Sequence, residues 1–185
     1  MLFNTLSTLH TLIEIDPSRA QSMLDQLITY LRSTLAASRA EQITLQNEFE
    51  QLRAYLQLMS LRMGSRLSYS LQLPEPLRTV TVPPMLLQPL VENAIKHGLE
   101  PTVAGGWIRV SAQREGSTLV LSVRDTGAGI GGAGLGVLPP GDSRFGIQQV
   151  RERLAALYGK TASLELVAAS DDEGGTLAIV RLPVS

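Results

Sequence analysis

The sequence predicts an α+β domain with helices on one face of a mixed, mostly antiparallel sheet, preceded by an N-terminal helical hairpin. Three observations predict it. Apolar residues recur at three- and four-residue spacings up to about position 63, the period of amphipathic helices. From Arg66 onward, apolar and polar residues alternate in short runs, the period of half-buried strands. Clusters of glycine and proline separate those runs.

Asp16-Pro17 is a helix start, with Asp as N-cap and Pro at the first helical position. Ala20, Leu24, Leu27, Leu31 and Leu35 follow at spacings of three and four and predict one apolar stripe. Leu2, Leu6, Leu9 and Ile13 mark a similar stripe before it, so the two helices form a hairpin around a short Asp-Pro turn. A third helix is expected over about 45–63, carrying Leu45, Phe49, Leu52, Leu56 and Met59 and closed by Gly64. Arg66 to Leu73 alternates as a strand that Pro74 and Pro76 end. Pro83-Pro84 opens a helix over about 84–96. Residues 107–113 and 118–124 alternate on either side of Glu115-Gly116-Ser117 and predict a β-hairpin. Residues 126–143 hold seven glycines and two prolines with no helical period, and predict a mobile loop. A helix over about 145–158, ended by Gly159, and strands over 162–168 and 176–182 complete the chain.

Composition narrows the function classes. The 185 residues are 44% hydrophobic and 18% charged, the balance of a globular chain. A net charge of -1 gives no electrostatic case for a nucleic acid or an anionic membrane. Without cysteine there is neither a disulfide framework nor a thiolate metal site, which fits a reducing compartment. No apolar run reaches the roughly 18–20 residues that span a bilayer. Met1-Leu2-Phe3-Asn4 lacks the basic start of a signal peptide. The expectation is a soluble piece.

Three motifs carry chemistry. In Glu92-Asn93-Ala94-Ile95-Lys96-His97-Gly98, at a helix end, Leu86, Leu87, Leu90, Val91, Ala94 and Ile95 make a wide apolar face. Glu92, Asn93, Lys96 and His97 gather opposite it at i, i+3 and i+4 spacings. A carboxylate, an amide oxygen and a cation together suit Mg²⁺ and phosphate oxygens, although Lys and His also suit any helix C-terminus. In Asp125-Thr126-Gly127-Ala128-Gly129-Ile130, an Asp at a strand end is placed to accept from an exocyclic amine, and glycines let a flat ring approach the backbone. Alone, this pattern is often only a turn. Phe145-Gly146-Ile147-Gln148-Gln149-Val150-Arg151-Glu152-Arg153-Leu154 starts a helix after the glycine-rich loop, where free N–H groups suit phosphate.

In this order, the motifs resemble the N, G1 and G2 boxes of the GHKL ATP-binding fold, the Bergerat fold of histidine kinases, MutL and type II topoisomerases. The closer resemblance is to LytS/YehU-type sensor histidine kinases. Leu86-Leu87-Gln88-Pro89-Leu90-Val91-Glu92-Asn93-Ala94-Ile95-Lys96-His97-Gly98 is similar to that family's N box almost throughout. Val150-Arg151-Glu152-Arg153-Leu154 with Leu157-Tyr158-Gly159 is similar to its G2 helix, and Gly174-Gly175-Thr176 also fits. Leu2-Phe3-Asn4-Thr5-Leu6 resembles the tail of its phosphoacceptor box. The resemblance implies ATP with Mg²⁺ as ligands, Asn93 as a Mg²⁺ ligand, and Lys96 and His97 beside the phosphates. It puts Asp125 on the adenine amino group, Gly127 and Gly129 under the ring, and Ile130, Gly146, Ile147 and Thr176 at the nucleotide. Residues 130–144 would be an ATP lid. Glu92 would orient or deprotonate the attacking histidine. The implied division is a dimerisation and phosphoacceptor hairpin over 1–40 and a catalytic domain over 41–185. The implied partners are a second copy and a LytTR-type response regulator. The implied location is cytoplasmic, in a sensor reaching the membrane through other segments.

Two positions depart from the family pattern. Arg144 stands where a glycine usually precedes the G2 helix, and Gln149 replaces the usual Asn. The family's acceptor histidine would fall one residue before Met1. His10 lies ten residues beyond that position, about 80° round a helix at 100° per residue, and reads as a surface residue. The expectation is a chain that binds ATP without phosphorylating itself. A GHKL ATPase and a degenerate nucleotide-binding scaffold are the competing readings. Hydrolytic relatives keep a glutamate four residues before the N-box Asn, where this chain has Pro89, which favours transfer to histidine. The intact N and G1 boxes speak against the scaffold.

Overall fold

Helices α1 (Leu2–Ile15) and α2 (Pro17–Ala37) form the expected hairpin in a computed structural model that describes residues 2–37, 40–129, 142–170 and 172–184. Asp16 starts α2 by accepting the Arg19 N–H at 3.0 Å. The buried face of α2 differs from the stripe read in the sequence. Ala20, Met23, Leu27 and Tyr30 are buried, whereas Leu24, Leu31 and Leu35 are exposed. On α1, Thr5 and Leu9 are buried while Leu6 and Ile13 are exposed. Both helices carry apolar residues on two sides, and packing against α3 decides which side is covered.

Helix α3 (Leu45–Met63) runs over the expected span. Thr44 caps it by accepting the Asn47 N–H at 3.2 Å, and Gly64, at φ 61, ends it. Leu45, Phe49, Leu52, Leu56 and Met59 are all buried. Strand β1 (Ile43–Thr44) pairs antiparallel with β3 (Thr81–Val82). Two-residue strands leave no periodic signal, and sequence analysis missed them.

The main sheet has five strands in the order β2-β4-β5-β7-β6. These are β2 (Leu67–Gln72), β4 (Gly106–Glu115), β5 (Thr118–Asp125), β6 (Ser163–Ala168) and β7 (Thr176–Pro183). Only β2 and β4 pair in parallel, so the sheet is mixed and mostly antiparallel, as expected. Ile108, Val110 and Ala112 of β4, Leu119, Leu121 and Val123 of β5, and Ala178, Val180 and Leu182 of β7 alternate inward and are buried. On the opposite face, Arg109 and Arg124 stack on the Trp107 ring at 4.8 and 5.3 Å.

The helix expected over 84–96 starts later. Met85 has φ 55, a left-handed conformation that a helix does not admit. Helix α4 (Gln88–Asn93) follows it and widens into a π turn over Ala94–Leu99, a distortion frequent at functional sites. Helix α5 (Asp142–Tyr158) begins three residues before the expected start. The loop expected to be mobile over 126–143, and the ATP lid implied over 130–144, lie largely outside the described residues, as does Ile130. Among the described residues, no helix is long and apolar enough to cross a membrane.

Candidate nucleotide site

Asp125 ends β5 at the centre of the sheet, opposite Ile108 of β4 and Thr176 of β7. It is only 3% exposed, and its Oδ1 accepts the Gly127 N–H at 2.9 Å. Burial pushes its carboxyl above the usual range, against the N–H groups of Gly127 and Thr176 and the charge of Arg124. A buried acceptor at a strand end fits the role of receiving an amino group.

The first two motifs meet at this point. The Ala128 N–H donates to the Gly98 carbonyl at 3.0 Å. A Cβ at Gly98 would stand 2.6 Å from Asp125 Oδ1, and one at Gly127 would overlap the Gly98 backbone. Glycine at both positions therefore lets the π turn and the loop after β5 touch. Gly129 has φ 71, and a Cβ there would lie 3.2 Å from the Gly175 carbonyl. The third motif comes from the other side: a Cβ on Gly146 would lie 3.4 Å from Pro89 of α4. Ile147 is buried in the core, so its backbone alone is available to a ligand.

Glu48 of α3 and Arg66 just beyond it brace the two ends of the N-box segment. The buried Glu48 carboxylate accepts from Met85 N–H at 3.0 Å and Leu87 N–H at 2.8 Å. Burial raises its pKa and these N–H groups oppose the rise. Arg66, just after α3, donates to the carbonyls of Glu100 and Thr102 at 3.0 and 2.8 Å. Arg62 pairs with Glu100. A carboxylate thus sits at the start of the segment and a guanidinium at its end, which complements the helix dipole. Neither residue was singled out from sequence, because nothing local links Glu48 to Leu87.

Along the segment, Glu92, Asn93 and His97 are half-buried and Lys96 is exposed. Burial and then Lys96 hold the His97 pKa below its usual value, and His97 Nε2 is buried without a protein partner. Glu92 Oε1 accepts from Gln88 Nε2 at 3.0 Å. Gln88 Nε2 also donates to the hydroxyl of Tyr30 on α2. Burial, then the Glu92 charge, pushes the Tyr30 phenol up to about 12.

The donor set suits Mg²⁺ carried by phosphates. Among the described residues, no three His, Asp or Glu side chains group to hold a metal alone. One amide oxygen with phosphate oxygens and water is ordinary Mg²⁺ coordination, and Asn93 with the unpartnered His97 nitrogen fits that arrangement. The open groove of about 640 Å³ lined by Thr29, Gln42, Asn47 and Gln51 includes none of these residues, so we assign the site by its chemistry.

Comparison with known proteins agrees with this geometry. Residues 1–67 match the histidine kinase family model, and residues 84–185 match the model described as histidine kinase-, DNA gyrase B-, and HSP90-like ATPase. The sensor histidine kinase BtsS of Escherichia coli K12 is 34% identical over 98% of this chain and 31% of its own length. The sensor histidine kinase/phosphatase LytS of Staphylococcus aureus is 35% identical over 91% of this chain and 30% of its own. The chain thus spans about a third of the length of these curated relatives. Among solved structures, the histidine kinase domain of the Erythrobacter litoralis EL346 blue-light activated kinase superposes with a TM-score of 0.58 at 16% identity, covering 98% of this chain and 91% of that one. The catalytic domain of histidine kinase ThkA gives 0.57 at 15% identity, over 77% and 93%. A buried Asp at the strand end, two glycines joining the boxes and these matches lead to one conclusion: the chain belongs to the histidine kinase-, DNA gyrase B-, and HSP90-like ATPase family.

Proposed function

We infer that this chain binds ATP with Mg²⁺ and transfers the γ-phosphoryl group to a histidine, for relay to a response regulator. The observation that carries the reading is the junction of Gly98 with Gly127 beside the buried Asp125, which joins a phosphate-side motif to a base-side motif. Asp125 accepts from the adenine amino group, with Gly127, Gly129, Ile130 and Thr176 around the base. Asn93 holds Mg²⁺, while Lys96, His97, Gly146 and the Ile147 backbone attend the phosphates. Mg²⁺ supplies neutralisation of phosphate charge. In the transfer, an imidazole nitrogen lone pair forms a bond to the γ-phosphorus. The bond from that phosphorus to the bridging oxygen breaks, and ADP leaves with the electron pair. The proton on the other ring nitrogen passes to Glu92 and then to water. Such a step depends on positioning and charge more than on covalent help. Pro89 offers no base for water, which favours transfer over hydrolysis.

The chain divides, in this reading, into a dimerisation and phosphoacceptor hairpin over 1–40 and a catalytic domain over 41–185. It works in the cytoplasm as a homodimer. One solved structure of histidine kinase ThkA is a complex with the response regulator protein TrrA; for this chain the partner is a regulator of the LytTR type. The test is calorimetry of ATP analogues with and without Mg²⁺. Asp125→Ala is expected to abolish binding of adenine nucleotides, and unchanged binding would remove the assignment.

A further inference from the structure

Glu92 does not stand alone on its helix. Gln88 precedes it by one turn and is 3% exposed, and its Nε2 donates both to Glu92 Oε1, at 3.0 Å, and to the Tyr30 hydroxyl. Tyr30 is 5% exposed, and its hydroxyl accepts from Gln88 and so fixes the amide that donates to Glu92. Thr34 anchors that stretch of α2 by donating to the Tyr30 carbonyl at 2.9 Å. The Tyr55 ring of α3 leans on Tyr30 with centroids 5.6 Å apart. The result is a three-membered chain: a buried phenol holds a buried amide, and the amide holds one oxygen of a carboxylate that is itself half-exposed. Two of its members belong to α4 and the third to the hairpin.

We propose that Tyr30 and Gln88 are positioning residues for Glu92, fixing its carboxylate toward the incoming imidazole only while the hairpin is docked on α3. The inference rests on the reading that Glu92 serves the phosphoryl transfer described above. Free to rotate, a glutamate on a helix surface visits several rotamers. The Gln88 amide, held between the carboxylate and the Tyr30 hydroxyl, selects one of them, and its burial makes that selection strong. Because Tyr30 comes from α2, displacement of the hairpin removes the acceptor that fixes Gln88 and so loosens the donor to Glu92. The transfer step thereby depends on hairpin position without any change in the nucleotide site itself.

The test uses the chain carrying Asn-Pro-His-Phe in place of Met1, so that an acceptor histidine precedes Leu2, with labelled ATP and Mg²⁺. Tyr30→Phe retains the ring and its packing and removes only the hydroxyl. It is expected to slow the maximal labelling rate roughly tenfold, the upper worth of one neutral hydrogen bond, with the KM for ATP unchanged. Gln88→Met is expected to behave in the same way. Glu92→Gln slows labelling as well, and adding Tyr30→Phe to it should cause no further loss, because the hydroxyl acts through the carboxylate. Additive losses in the double variant, or a wild-type rate for Tyr30→Phe beside a slow Glu92→Gln, overturn the proposal and leave the kinase reading intact. A wild-type rate for Glu92→Gln overturns the role of Glu92 and the proposal with it. Unchanged affinity for an ATP analogue and an unchanged circular dichroism spectrum confirm that each variant is folded.

Discussion

At the scale of single residues, Asp125 sets function against stability. Its carboxyl is buried, and burial outweighs the N–H groups of Gly127 and Thr176 and the charge of Arg124 that favour ionisation. A carboxyl whose folded pKa lies above its unfolded value binds protons more readily in the native state. Stability then falls as pH rises from the ordinary Asp value of 3.8 through the raised folded value, and the penalty is complete above it. Asp125→Asn keeps an oxygen for the Gly127 N–H and discards the charge. We expect the variant to melt higher than the parent at pH 7, with the gain shrinking as the pH falls toward 4, and to lose adenine nucleotides. Thermal melts across that range check it; a lower Tm at pH 7 would show that the charge is stabilising. Asp125 and Gly127 were legible in the sequence because their motif is local. Tyr30 was not, since its importance lies in an approach to Gln88 that only tertiary packing creates. The Gln88–Glu92 pair was within reach of sequence reasoning, being an i, i+4 neighbour on one helix.

At the scale of elements, the N-box segment is held in an unusual shape by its neighbours. Its entry through Met85 at φ 55 is unfavourable for a side chain with a Cβ. Glu48 compensates by accepting from Met85 and Leu87 together. Removing that carboxylate leaves the buried Leu87 N–H and the half-buried Met85 N–H without that partner. Glu48→Ala is therefore expected to lower the unfolding free energy by about 2–4 kcal/mol, read as a lower urea midpoint. The same variant should weaken nucleotide binding, because the position of Asn93 depends on where α4 begins. A loss below about 0.5 kcal/mol would place Glu48 among ordinary surface substitutions. The elements with strong local signals, α3 with its Thr44 cap and Gly64 stop and the β4–β5 hairpin around Gly116, matched their expected spans closely. The start of α4 did not, because Pro83-Pro84 looks like a helix opening until the buried Glu48 claims the next N–H groups. β1 and β3 were invisible because they exist only as each other's partners.

At the scale of the molecule, the hairpin presents more apolar surface than the catalytic domain covers. The mixed, mostly antiparallel sheet with helices on one face followed from the resemblance and the alternation of strand residues. Which flank of α2 meets α3 did not, since the sequence offers two. With Ala20, Met23, Leu27 and Tyr30 turned inward, Leu24, Ile28, Leu31 and Leu35 remain exposed on α2, joined by Leu6 and Ile13 on α1. The α2 set is spaced four, three and four residues apart, the alternation of a seam that packs knobs into holes against another helix. With Ile15, the large apolar side chains exposed on this one hairpin exceed the scattered exposure normal for a monomer. Burying them against a second copy would contribute about 25 cal/mol for each Å² of apolar surface removed from water. The homodimer proposed for this chain therefore has a candidate seam along α2, distinct from the nucleotide residues. Leu24→Glu with Leu31→Glu places like charges across that seam and leaves the inward residues unchanged. Light scattering should then report the mass of one chain at concentrations where the parent has the mass of two. Calorimetry should give the same affinity for an ATP analogue in both, since neither position touches α4, β5 or α5. If the parent itself scatters as a single chain at high concentration, the seam does not join two copies.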